Sequence, residues 1–152
     1  MELLGVGLYF EDLYQGRQFR TVGRTITETD IISFVNCTGM VEILFTDVEF
    51  QKNDSDIKGR LAPAALGYTI AEGLLIQATM QYTAYAFLHM DFNVKGPLFA
   101  GDTIHVECEV IEARLSKSKA QRGLVRTRNV IRKQTGEEVV VYTPLRMVKC
   151  RN

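Results

Sequence analysis

Apolar residues in the stretch Arg60 to Gln81, RLAPAALGYTIAEGLLIQATMQ, run nearly all the way round a helical period rather than along one stripe. A helix of that kind has to be buried on most sides. Pro63 suits its first helical position, where a missing N–H costs nothing, and Ala62, Ala64 and Ala65 leave room for close approach to the backbone. Beyond Gln81 the apolar period changes from about 3.6 to about 2, the mark of a switch from helix to strand. Leu88, Met90, Phe92 and Val94 share one face within Tyr85 to Val94, and Ile104, Val106, Cys108 and Val110 share one within Thr103 to Ala113. Lys95 to Asp102 connects these two strands through Gly and Pro. Arg122 to Lys133 and Glu138 to Val148 form a second pair joined by QTGE, with Gly136 in the turn. Pro144 lacks a ladder N–H and marks an edge or a bulge in the last strand.

The first third of the chain is less regular. A loop-like segment runs through Gly16, and Gln18 to Ile26 alternates weakly around Gly23. Thr27 to Asp30 carries a capping-box pattern ahead of Ile31, Phe34 and Val35, which predicts a short helix over Glu28 to Asn36. A turn at Gly39 opens an apolar run to Asp47, and Gln51 to Lys58 is polar enough to be an exposed loop. The pattern predicts a single α+β domain over residues 1–152, an antiparallel sheet wrapped around one long central helix.

Composition narrows the function. The chain has 152 residues, with lysine plus arginine and aspartate plus glutamate each at 18, so nothing favours a nucleic-acid or membrane-surface binder. Cys37, Cys108 and Cys150 cannot all pair within one chain and lack metal-ligand spacing, so neither a metal nor another cofactor is expected. Without a signal-like N-terminus or a long apolar run, the expected location is the cytoplasm.

Phe10 to Leu13 (FEDL), Gly23 to Ile31 (GRTITETDI), Thr38-Gly39, Arg60 to Ala64 (RLAPA), Gly101 to Ile104 (GDTI) and Gly136-Glu137 occur in a telling order and spacing. Together they resemble the MaoC-like hot-dog proteins, the (R)-specific enoyl-CoA hydratases and acyl dehydratases of fatty acid metabolism. The resemblance covers almost the whole chain. It implies a hot-dog fold, pairing of two protomers' sheets into a homodimer or higher oligomer, and an acyl-CoA or acyl-carrier thioester as partner.

The resemblance also exposes a departure. The hydratase pattern Gly-Asp-x-Asn-Pro-x-His-x-Asp uses its first Asp and its His to hold the water that adds to the enoyl thioester. Here the run is Gly39-Met40-Val41-Glu42-Ile43-Leu44-Phe45-Thr46-Asp47, so Met40 and Phe45 stand in the two catalytic positions. Hydration needs a proton acceptor and a proton donor, each typically worth a factor of about 10² to 10⁴. Neither a thioether nor a phenyl ring supplies one. Glu42 is the remaining ionisable side chain in the run, and desolvation beside Val41, Ile43 and Leu44 would make it a base. Pairing with solvent or a basic residue is the bland alternative.

Three functional readings follow: a catalytically divergent hydratase or dehydratase, a non-catalytic binding or structural subunit partnering an active paralogue in a heterodimer, and a thioesterase. The last would use a carboxylate on the central helix, where Glu72 stands roughly 14 Å from the N-terminus. On the binding side, the unpaired N–H groups near Ala62, Ala64 and Ala65 favour a carbonyl oxygen that becomes negative. Met40 and Phe45 would line that site. Arg60 would hold a CoA phosphate or bond a loop carbonyl. Arg122, Arg126, Arg128, Arg132 and Lys133 could meet CoA phosphates too, but a solvated strand face explains them better. His89 and His105 have no nearby nucleophile, Cys108 belongs to an apolar face, and Cys37 beside Thr38 is a weak candidate thiol.

Overall fold

The structure is a computed structural model that describes residues 1–151. Its centre is α4 (Ala64–Thr79), cradled by an antiparallel sheet with the strand order β1-β6-β7-β8-β4. The strands are β1 (Gln18–Arg20), β4 (Ala84–Val94), β6 (Thr103–Leu115), β7 (Arg122–Lys133) and β8 (Glu138–Lys149), and β2 (Arg24–Thr25) also pairs with β6. A separate two-stranded ladder, β3 (Leu61–Ala62) with β5 (Leu98–Phe99), sits at the start of α4.

Ile104, Val106, Cys108 and Val110 are all buried, as their shared face requires; the first three join Ile131, Val140 and Tyr142 against Leu66, Ile70, Ala71 and Leu75 of α4, while Val110 packs with Leu13, Val125 and Val148 in a second cluster. The helix keeps one open side in a single chain, where Ile76 is 44% exposed. Its packing on β5 depends on Gly67, because a Cβ there would come within 2.9 Å of Leu98 Cδ2. No helix among the described residues is long and apolar enough to cross a membrane.

Several expectations are corrected. The helix begins at Ala64, one residue after the expected Pro63, which is the N-cap instead, and Leu61 and Ala62 of the apolar run before it are drawn into the ladder with β5. The weak strand at Gln18 to Ile26 breaks into β1 and β2, and Phe10–Asp12 forms a 3-10 turn inside the expected loop. Gln51 to Lys58 is not simply an exposed loop. Its first residues end α3 (Val48–Asn53), and Gln51 is buried because its amide donates to the Leu44 carbonyl. β4 and β6, successive strands of the main sheet along the chain, are not neighbours in it, so Lys95 to Asp102, which carries β5, is a crossover.

Pro144 lies in an internal strand, buried and opposite Met90 of β4. The β7–β8 ladder has no paired residues between Arg126–Leu145 and Asn129–Tyr142, so the missing N–H falls in a gap in the ladder. Arg126 Nη1 donates to the Thr143 carbonyl there at 3.2 Å. The face shared by Leu88, Met90, Phe92 and Val94 is also more open than expected. Only Met90 is half-buried, and β4 pairs with β8 along one edge alone.

Candidate functional site

The N-terminus of α4 is the part of the molecule best suited to hold a polarised carbonyl. Pro63 caps the helix without a side-chain hydrogen bond, and the first internal bonds run from the amides of Leu66 and Gly67 to the Pro63 carbonyl. The amides of Ala64 and Ala65 precede those bonded groups and are left for an outside acceptor. Both alanines are half-buried, which keeps the approach open. Ala62 is a correction. At 3% exposure, and paired with Leu98, it anchors the helix start from beneath and leaves no room for a ligand.

The segment facing this end is built from α1 (Glu28–Thr38), α2 (Ile43–Thr46) and α3. Thr27 and Asp30 close the capping box of α1, and Gly39 ends that helix with φ 72°, a left-handed conformation that glycine adopts without strain. The chain then presents Met40, 38% exposed, and Glu42, the exposed N-cap of α2. The burial expected to make Glu42 a base is therefore missing, because Ile43 and Val41 beside it also point outward. Phe45 departs further from expectation. Instead of lining an open site it is 8% exposed and packs in the same core cluster as Leu66 and Ile70.

Arg60 explains why the segment is held this way. Its Nε lies 2.7 and 2.9 Å from the two carboxylate oxygens of Glu28, and its Nη1 donates to the Phe45 carbonyl. The guanidinium is a clamp between α1 and α2, so Arg60 is committed to a loop carbonyl and a carboxylate rather than to a phosphate.

The carboxylate considered for thioester hydrolysis is also committed. Tyr142 donates its hydroxyl to Glu72 Oε1 at 2.8 Å, and Arg146 Nη2 donates to Oε2. With side-chain exposures of 12% and 14%, Glu72 and Arg146 form an enclosed ion pair inside the sheet. Burial, followed by the charge of Glu72, pushes the Tyr142 phenol well above its usual range and the Cys108 thiol up to about 12, so neither ionises at neutral pH. Sequence reasoning named Glu72 but missed Tyr142 and Arg146. The signal was present: a carboxylate in an apolar helix demands a cation, and arginine recurs on the strands that face it.

The remaining candidates fall outside this region of chemistry. His89 is exposed with its Nδ1 3.3 Å from Arg126 Nη1, and His105 pairs with Glu107 at 3.2 Å. Cys37 is exposed. Arg132 bridges Glu107 and Glu138, Arg126 lies 3.6 Å from Glu112, and Arg122 stacks over Tyr85, while Arg128 is exposed. Lys133 is not on a solvated face: it is 8% exposed between Asp102 and Glu137, over the Phe99 ring.

Residues 14–142 match a family model described as "FAS1-like, dehydratase domain region". The chain belongs to this dehydratase family. It is similar over 96% of its length to the monoamine oxidase regulatory protein from Archaeoglobus fulgius, at 28% identity, covering 97% of that chain with a TM-score of 0.83. A MaoC-like dehydratase from Rhodospirillum rubrum is 25% identical with the same TM-score of 0.83, over 96% of this chain and 99% of that one. The Mycobacterium tuberculosis protein RV0216, described as having a double hotdog fold, shares the fold at 23% identity and a TM-score of 0.84, with 95% of this chain covering 44% of that one. No curated protein sequence matches the chain. The fold is thus the hot-dog fold and the family the MaoC-like dehydratases, as the motifs implied.

Proposed function

We propose that this MaoC-like chain binds an acyl thioester, on CoA or on an acyl carrier, without transferring the protons of hydration itself. It would work as one half of an assembly whose other half, an active paralogue, carries the Asp and His. The observation that carries this reading is the place of Phe45. The position that should present the His side chain is turned into the core, and Arg60 clamps its carbonyl. Met40, at the Asp position, has no proton to exchange.

The binding half of the chemistry has better support. A thioester carbonyl would accept from the amides of Ala64 and Ala65, where the positive end of the α4 dipole stabilises charge growing on oxygen. Met40 would line the approach. What this chain supplies is orientation and polarisation; the general base and acid have to come from elsewhere.

The free edge of β4 supports an assembly. It runs from Ala84 to Val94 and carries Phe87 at 44%, Leu88 at 48% and Val94 at 54% exposure. Long apolar edges are rarely left bare, because they recruit another strand. Either a second copy or the paralogue would continue the sheet here.

Hydration of crotonyl-CoA, followed by loss of enoyl absorbance, tests the reading. The chain alone should bind the thioester saturably and hydrate none of it above background, and a paralogue bearing the Asp and His should co-purify with it. Hydration by the chain alone, abolished by Glu42→Gln, would overturn the proposal and make Glu42 the base. Release of free CoA thiol would point to a thioesterase instead.

A further inference from the structure

At the opposite end of α4 the fold holds a partly open cavity of about 40 Å³. Leu8 and Leu13 from the N-terminal segment close one side, Leu75 and Met80 the helix side, and Val125 and Val148 the sheet side. Thr79, Thr83, Thr127, Asn129 and Arg146 interrupt this apolar lining, and the hydroxyls of Thr79 and Thr83 are already spent on the Leu75 and Thr79 carbonyls. Asn129 is 1% exposed, and its Oδ1 has no hydrogen-bond partner among the described residues. Native proteins leave few buried acceptors without a donor.

The chemistry of the missing donor follows from its neighbours. Arg146 is already neutralised by Glu72, so a carboxylate entering here would compete with an enclosed ion pair for the same guanidinium. A neutral head group with an O–H meets no such competition. The apolar lining asks for a hydrocarbon body behind it. On a scale where one water occupies roughly 10–15 Å³, the space takes about three or four non-hydrogen atoms.

We infer that this cavity is a binding site for a small neutral alcohol, whose hydroxyl donates to Asn129 Oδ1 and whose hydrocarbon part rests against Leu75 and Val125. The site is separate from the helix N-terminus that serves the proposed thioester, and it stands or falls independently of that reading.

Propan-2-ol and acetone have the same number of non-hydrogen atoms, but only the alcohol carries a donor, so titrating the full chain with each tests the assignment. Propan-2-ol should shift the methyl resonances of Leu75, Val125 and Val148 saturably, with a dissociation constant in roughly the millimolar range expected of so few atoms. Acetone should bind about tenfold more weakly or worse, since it leaves the acceptor unpaired. Asn129→Leu should erase that preference. Val125→Ile, which keeps Asn129 and fills the space, should abolish binding of both. Shifts that never saturate, as they would if a water at Asn129 is not displaced, would overturn the inference. So would equal binding of the two probes, or a preference that survives Asn129→Leu. Should the Asn129 variant lose its methyl dispersion, Val125→Ile decides alone, and unchanged propan-2-ol affinity there rejects the site.

Discussion

Tyr142 and Glu72 meet inside the sheet, 70 residues apart in sequence, with the phenol hydroxyl 2.8 Å from one carboxylate oxygen and Arg146 on the other. Every lone strong partner in this triad is enclosed, so the pieces should not be separable at equal cost. Arg146→Met leaves a buried carboxylate unpaired and should destabilise the chain by about 3–5 kcal/mol. Adding Glu72→Leu removes that charge and should recover much of the loss, leaving mainly the orphaned Tyr142 hydroxyl at roughly 1–3 kcal/mol. Urea unfolding of both single variants and the double one measures this coupling. Additive costs would mean that the pair contributes no specific interaction.

Acid should weaken the start of α1. Burial raises the Asp30 carboxyl, but the Thr27 amide and hydroxyl and the Arg24 guanidinium outweigh it and hold Asp30 below its ordinary value of 3.8. A pKa depressed by folding means that the contribution is fully present above the unfolded value and disappears as pH falls through the folded one. Asp30→Ala should therefore cost about 1 kcal/mol at neutral pH, the usual worth of such a cap. The gap between variant and wild type should narrow steadily once the pH drops below about 4. Unfolding midpoints across that range check the sign; a gap that widens in acid would contradict it.

Restoring a histidine by substitution should not restore hydration. Phe45→His places an imidazole among Leu66 and Ile70, at a cost of roughly 1–3 kcal/mol for a buried polar group without a partner. The ring would still point into the core, because Arg60 fixes the backbone at that position. Thermal unfolding should show the loss, and crotonyl-CoA turnover should stay at background. Even a tenfold gain in turnover would show that position 45 faces the substrate.

The parts that periodicity could reveal were those in which one rule decides the outcome. Ile104, Val106, Cys108 and Val110 alternate because a strand face is buried, and Thr27 with Asp30 caps a helix by local hydrogen bonds alone. The ladder ahead of α4 was not legible, because Leu61 and Ala62 are claimed by Leu98 and Phe99, which lie more than thirty residues away and leave no local trace. Gln51 reads as loop by polarity and is buried through a single bond to Leu44. At the candidate site, Met40 and Phe45 were found by motif, yet which way Phe45 turns depends on Arg60 and Glu28 together. Arg146 and Tyr142 needed the question of who neutralises Glu72, which periodicity does not ask.

The N-terminal segment closes the far end of the hot dog through a contact that tolerates no side chain. Gly7 donates its amide to the Gln81 carbonyl and Leu8 to the Thr79 carbonyl, both at 2.8 Å, so the segment caps the last turn of α4. A Cβ on Gly7 would fall against the Thr79 carbonyl group, closer than real Cβ atoms come. The obstacle is backbone, which cannot rotate away as a side chain can. Gly7→Ala should consequently push the segment off the helix end, costing about 1–3 kcal/mol as overpacking usually does. Hydrogen exchange localises the effect: the amides of Gly7 and Leu8 should lose protection, while those of β6 and β7 in the sheet centre should change only by the global loss of stability. Unchanged protection at Leu8 would show that the segment does not depend on this contact.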